Sequence, residues 1–167
     1  MTEAEFWNLI EAARAESDDA QETAEQLGEQ LSELEPETLY AFEEQLARLL
    51  ERSYTWELWG VAYVLNGGCS DDGFHYFRGW LIAQGREVFE RALTDPDSLV
   101  DQVEDMEEAE CEDILHVATS AYREATGDYP EGITVNLPDL GPSWDFDDRA
   151  EMARRYPRSV AQFWPED

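Results

Sequence analysis

Ten consecutive residues, Trp56-Glu57-Leu58-Trp59-Gly60-Val61-Ala62-Tyr63-Val64-Leu65, carry a single charge among them. On a helix their apolar groups fall on every face, so the segment must be enclosed by protein on all sides. It is too short to cross a bilayer, which takes about 20 apolar residues. A chain that holds such a rod has to wrap other elements around it. Asn66-Gly67-Gly68 then stops the helix, because asparagine and glycine accept the left-handed conformation common at helix C-termini. Ser70 is a good N-cap for the next helix, and Asp71 and Asp72 fall in its first turn, where the helix dipole favours negative charge. Phe74, Phe77, Leu81 and Ile82 recur on one helical face. The glycine turn is therefore expected to be the hub on which the other helices close.

Amphipathic patterns surround this hub. Residues 2–16 read as a helix opened by a Thr2–Glu5 capping box, with Phe6, Leu9, Ile10 and Ala13 inward. Residues 19–34 read as a second, with Ala20, Ala24, Leu27, Leu31 and Leu34 on one face. Pro36 opens a third, whose stripe is Leu39, Phe42, Leu46, Leu49 and Leu50; it either runs on to Leu65 or breaks near Tyr54-Thr55. Small Ser53 and Gly60 near this stripe would let another helix come close. Gln84-Gly85 marks a kink or stop before a short helix over Arg86–Leu93. Asp95 is expected to cap a short helix begun by Pro96, residues 107–126 to form one helix ended by Gly127, and Asp145 or Asp147 to cap a helix through Arg155. The predicted fold class is mainly α: a single bundle-like domain of six to eight helices over residues 1–128, with an irregular, Pro/Gly-rich C-terminal extension, residues 129–167, packing on it through Trp144, Phe146, Phe163 and Trp164. Ile133–Leu137 reads as one short extended segment. Trp7, Phe42, Trp56, Trp59, Tyr63, Phe74, Phe77, Trp80 and Phe89 are the expected aromatic core.

The formal net charge is −29, and every basic residue other than the two histidines is an arginine. The acidity is uneven. The aromatic-rich residues 36–93 carry −4, whereas residues 1–35 and residues 94–113 each carry −10. Such a surface repels nucleic-acid phosphates and anionic membranes, which argues against direct nucleic-acid binding and against a membrane role. Three readings of the charge remain: solubility, with salt adaptation or a GC-rich genome favouring arginine; recognition of a basic partner protein; or mimicry of a nucleic acid's charge. Arg154, Arg155 and Arg158 form the one basic cluster, too small for a nucleic-acid footprint and suited to pairing with acids of its own domain or another copy. Two cysteines do not make a disulfide framework, and no stretch reads as a signal peptide, so a reducing cytoplasm is the expected compartment.

Cys69, Asp71, Asp72, His75 and Arg78 are the densest set of chemical groups. One reading is structural: the aspartates belong to a helix start, Arg78 pairs with a nearby acid and His75 is a hydrogen-bonded, partly buried histidine. The other has them converge at a helix mouth walled by Trp59 or Trp80, with Arg78 holding an anionic group and Asp71 or Asp72 acting as base or anchor. Asp71 or Asp72 can reach His75 at three or four residues' spacing, and a carboxylate orienting an imidazole beside a thiol is the logic of an activated nucleophile. A helix N-terminus lowers a thiol's pKa, but two aspartates push the other way. No spacing matches a zinc pattern, even with Cys111 and His116 included, so neither a metal nor a cofactor is expected.

Phe6-Trp7-x-Leu9-Ile10-Glu11, Leu58-Trp59-Gly60-Val61-Ala62-Tyr63, Gly67-Gly68-Cys69-Ser70-Asp71-Asp72-x-Phe74-x-x-Phe77-Arg78-x-Trp80-Leu81-Ile82-x-x-Gly85-Arg86 and Asp95-Pro96-Asp97-Ser98-Leu99 together resemble an uncharacterised bacterial family, domain of unknown function 4240. The resemblance covers roughly residues 1–128 and implies a helical domain, found alone or fused to other modules. It implies no activity. His75 stands where that pattern has an acidic or other polar residue, which weighs against a mechanism centred on it.

The leading expectation is a non-catalytic cytoplasmic interaction module of inhibitory, immunity-type or regulatory role, a monomer or small homo-oligomer. Glu107, Glu108, Glu110 and Glu112 would meet a basic protein surface. The alternatives are an enzyme or ligand-binding protein using the Cys69–Arg78 mouth, and a charge mimic of nucleic acid.

Overall fold

The computed structural model describes residues 1–106 and 109–165. Nine α-helices are found among them, and no strand: α1 Glu3–Arg14, α2 Ala20–Ser32, α3 Pro36–Arg52, α4 Trp56–Leu65, α5 Asp71–Ala83, α6 Arg86–Thr94, α7 Val117–Thr126, α8 Arg149–Arg155 and α9 Pro157–Phe163. Short 3₁₀ segments cover Pro96–Gln102 and Asp113–Leu115. The fold is mainly α.

Local chemistry accounts for most boundaries. Thr2 Oγ1 accepts from the Glu5 N–H while the Glu5 carboxylate accepts from the Thr2 N–H at 2.6 Å, completing the capping box of α1. Between α3 and α4 the chain breaks at Tyr54-Thr55. Ser53 turns its hydroxyl back to the Leu49 carbonyl, and Thr55 caps α4 by accepting from the Leu58 N–H. Gly85, at φ +89°, separates α5 from α6, and Gly127, at φ +82°, ends α7.

α1 packs on α2, and both α2 and α3 pack on α7. α4 lies under the C-terminal part of the chain, against α9 and the Pro96–Gln102 turn. The core is one continuous cluster. Phe6 stacks on Phe42 at 4.5 Å between ring centroids, Trp7 touches Phe89 at 5.3 Å, and Trp59, Phe74, Phe77 and Trp80 form an unbroken row. Trp56 and Tyr63, expected in the core, are only half-buried. They sit beneath the extension, each against Phe146.

The extension docks as Pro/Gly-rich irregular chain followed by α8 and α9. Tyr156 is buried and donates its hydroxyl to the Glu57 carbonyl at 2.7 Å. It approaches α4 at Gly60, where an added Cβ would lie 2.9 Å from Cε2 and Cζ of the ring. The close approach foreseen at Gly60 is thus made by a tyrosine of the extension. Arg154 and Arg155 both pair with Glu151, and Arg158 with Asp101.

Four local expectations need correction. Residues 107–126 are not one helix: α7 starts at Val117, and the backbone of Ala109 and Cys111 is bonded to other elements. The side chain of Asp95 does not cap the turn that follows; its carbonyl instead accepts from the Ser98 hydroxyl at 2.6 Å. α8 is capped by Asp148, because Asp145 accepts from the Asp147 N–H and Asp147 from the Tyr63 hydroxyl. Residues 133–137 pair with no strand; the Asn136 N–H donates to the Glu51 carboxylate at 2.6 Å.

Candidate functional site

The hub forms as the sequence demands. Gly67 and Gly68 take φ +65° and +126°, and the Gly68 N–H returns to the Tyr63 carbonyl at 2.8 Å. Ser70 caps α5 by accepting from the Gly73 N–H. Trp59 stacks on Phe74 at 4.6 Å and donates its indole N–H to the Cys69 carbonyl at 2.9 Å. Asn66 bonds Ala109 in both directions, each at 3.1 Å, and the Cys111 N–H donates to the Tyr76 carbonyl. The acidic segment is thereby fastened to the hub at two points.

The five chemical groups of the hub do not share one mouth. Asp71 and Asp72 are exposed on the first turn of α5. Arg78 turns inward, only 3% exposed. Its guanidinium donates to the Leu50 carbonyl at 2.7 Å and to the Phe74 carbonyl at 3.3 Å, and lies over the rings of Tyr54 and Phe74. Burial pulls its pKa down to about 10. His75 Nδ1 faces this guanidinium at 3.3 Å rather than an aspartate, and burial with the adjacent arginine lowers its pKa. Burial, with Glu110 and Asp71 nearby, pushes the Cys69 thiol up to about 12. That is the opposite of an activated nucleophile, whose pKa must approach ambient pH. A pocket of about 210 Å³ beside His75 has a largely apolar lining that includes Leu46, Leu50, Leu115 and Ile133, below the size usual for ligand sites.

Residues 1–124 match the family model described as "Protein of unknown function (DUF4240)". The chain belongs to the DUF4240 family. No curated protein and no solved structure matches it. The hub and α1 to α6 lie within the matched span of this DUF4240 chain; α8 and α9 lie beyond it.

A larger concavity of the DUF4240 domain lies elsewhere. A groove of about 630 Å³ opens between the α1–α2 turn, the C-terminal end of α5 and Gln102, Glu104 and Glu110. Asp18, Asp19, Glu104 and Glu110 line it, with Trp80 and Arg14. Trp80, considered as a wall beside Trp59, lines this groove instead, two helical turns along α5 from the hub. Reading the sequence misses this site because its carboxylates come from stretches some 85 residues apart. Of the proposed partner-binding acids, Glu110 lines the groove and Glu112 lies 3.8 Å from His116 on another side; Glu107 and Glu108 lie outside the described residues.

Among the described residues no three His, Cys, Asp or Glu side chains come together as a metal site would require. No helix among them is long and apolar enough to cross a membrane.

Proposed function

We propose that this DUF4240 chain is a non-catalytic cytoplasmic interaction module whose acidic surface receives a basic surface of a partner protein, in an inhibitory, immunity-type or regulatory role. The observation that carries the reading is how the arginines are used. Arg14, Arg52, Arg91, Arg154, Arg155 and Arg158 each pair with a carboxylate of the same chain, and Arg78 is consumed in the core. The 40 acidic residues so outnumber the 11 arginines that a net −29 remains after every arginine is counted. A field of one sign steers an oppositely charged partner and speeds association at low salt. Binding is favoured over catalysis at the hub because its thiol is held protonated and its arginine is internally bonded. Cys69 and Cys111 are both free thiols, in keeping with a reducing compartment.

The test is affinity capture from host lysate at low salt, followed by calorimetry of the captured protein against the wild type and a Glu107→Gln/Glu108→Gln/Glu110→Gln/Glu112→Gln variant. The expected partner is basic, binds more weakly as salt rises, and loses affinity to the variant while the variant stays folded. Binding that ignores both salt and these four charges would refute the reading.

A further inference from the structure

The floor of the large groove holds an unmet hydrogen-bond donor. Trp80 is 4% exposed and its ring stacks on Phe77. Every fully buried side-chain nitrogen or oxygen among the described residues has a partner. The indole N–H of Trp80 has none, so it is not sealed in the core; it opens to the groove that Trp80 lines. Around it stand Asp18, Asp19, Glu104 and Glu110. Asp19 spends one oxygen on the Glu22 N–H at 2.8 Å. The carboxylates of Asp18 and Glu104 bond to nothing among the described residues. Arg14, the cation of the lining, is held by Glu11 at 2.7 Å.

These groups restrict what fits. An indole N–H needs an acceptor. An anionic acceptor, such as a phosphate or carboxylate, is repelled by the surrounding carboxylates. A polyamine satisfies the carboxylates but brings no acceptor. A neutral carbonyl flanked by cations satisfies both, and that is the backbone of a peptide with arginine or lysine side chains. The volume lies in the range that ligand sites use and admits a few residues of extended chain.

We propose that this groove is where the basic partner docks: an extended arginine- or lysine-bearing segment places a backbone carbonyl on the Trp80 indole N–H and its side chains on Asp18, Asp19 and Glu104. The inference rests on the interaction-module reading above and names its site and ligand class.

The probe is a capped hexapeptide of alternating arginine and alanine, titrated into the ¹⁵N-labelled full-length chain at low salt, with spermine as control. The Trp80 indole N–H resonance is expected to move saturably with the peptide, while the indoles of the other five tryptophans stay. Asp18→Asn/Glu104→Gln is expected to weaken binding about fivefold, since exposed ion pairs contribute modestly each. Both substitutions are on the surface and leave the helical circular dichroism unchanged. Salt-sensitive peptide binding that leaves Trp80 unmoved and ignores the double variant overturns the groove but not the interaction module. Absence of peptide binding overturns the groove, while the interaction module falls only if the captured partner ignores salt and the four-glutamate variant. Spermine shifting the Trp80 indole as far as the peptide does overturns the peptide assignment.

Discussion

Gly60→Ala is a mutation whose sign depends on a residue nearly 100 positions away. In an exposed helix, alanine in place of glycine stabilises by about 1 kcal/mol. Here a Cβ would stand 2.9 Å from Cε2 and Cζ of Tyr156 and nearer still to its hydroxyl, whereas ordinary contact begins at 3.4 Å. Relief requires the hydroxyl to retreat by about 1 Å, which takes it beyond hydrogen-bonding reach of the Glu57 carbonyl. Leaving those two groups unpaired costs about 1–3 kcal/mol, and the overpacking about 1–3 kcal/mol more. After subtracting the helix gain, Gly60→Ala is expected to destabilise the chain by about 3 kcal/mol. In a Tyr156→Ala background the obstacle is gone, and the same change is expected to be neutral or to stabilise by up to about 1 kcal/mol. Urea unfolding of the four chains closes the cycle, with a coupling of about 3 kcal/mol. Additive effects, or a Gly60→Ala chain as stable as the wild type, would refute the docking of the extension on α4.

Glu43, Cys69 and Asn66 each give a further measurement. Burial holds the Glu43 carboxyl above its ordinary 4.5, although the Thr119 hydroxyl donates to it at 2.7 Å. The folded state therefore binds that proton more tightly than the unfolded chain, and stability present below 4.5 is lost as pH rises through the folded value. Glu43→Gln should raise the Tm at pH 7, with the gain shrinking toward pH 4.5; an equal effect at both pH values would contradict this. With the Cys69 thiol pushed to about 12 and Cys111 buried, native chain at pH 8 should react with a disulfide reagent far more slowly than glutathione does, and both thiols should react promptly in urea. A rapid one-thiol burst would reverse that conclusion. Asn66→Ala removes both bonds to Ala109 and leaves a buried N–H and carbonyl unpaired, a loss of about 2–4 kcal/mol. Amide exchange at Ala109 should accelerate; unchanged protection would mean that Asn66 does not hold the acidic segment.

The helices, the capping box, the glycine hub and the aromatic row were legible because each depends on residues within a turn or two of one another. What escaped was set by distant partners. The run 107–126 has apolar residues at helical spacing from Ile114 onward, but its acidic first half places like charges three and four apart, which disfavours a helix. Ala109 and Cys111 there instead give their backbone N–H groups to Asn66 and Tyr76. The reach of Tyr156 to Gly60 and the choice of Asp148 over Asp147 as cap follow from how the extension lies on α4, which no local pattern encodes. Arg78 reads as a surface cation in an amphipathic helix, yet the end of α3 offers it the Leu50 carbonyl and an aromatic cradle. That pairing draws the hub's one cation into the core.

Moving Arg78 inward has an electrostatic consequence for the rest of the molecule. With it outside, the hub would present a cation beside Asp71, Asp72 and Glu110, and the negative charge of that face would be partly offset. With it inside, the charge at the hub surface and along the adjoining segment is uniformly negative, while the guanidinium is satisfied by carbonyls and aromatic faces that no solvent ion can displace. The acidic segment is in turn held by backbone bonds to the hub rather than by ion pairs. Raising the salt concentration therefore weakens the attraction of the surface for a basic ligand without loosening the frame that displays it. On the proposed reading, Asp19, whose carboxylate is already held by the Glu22 N–H, loses less conformational freedom when a basic segment docks beside Trp80 than the exposed Asp18 and Glu104, whose ordering the interaction has to offset.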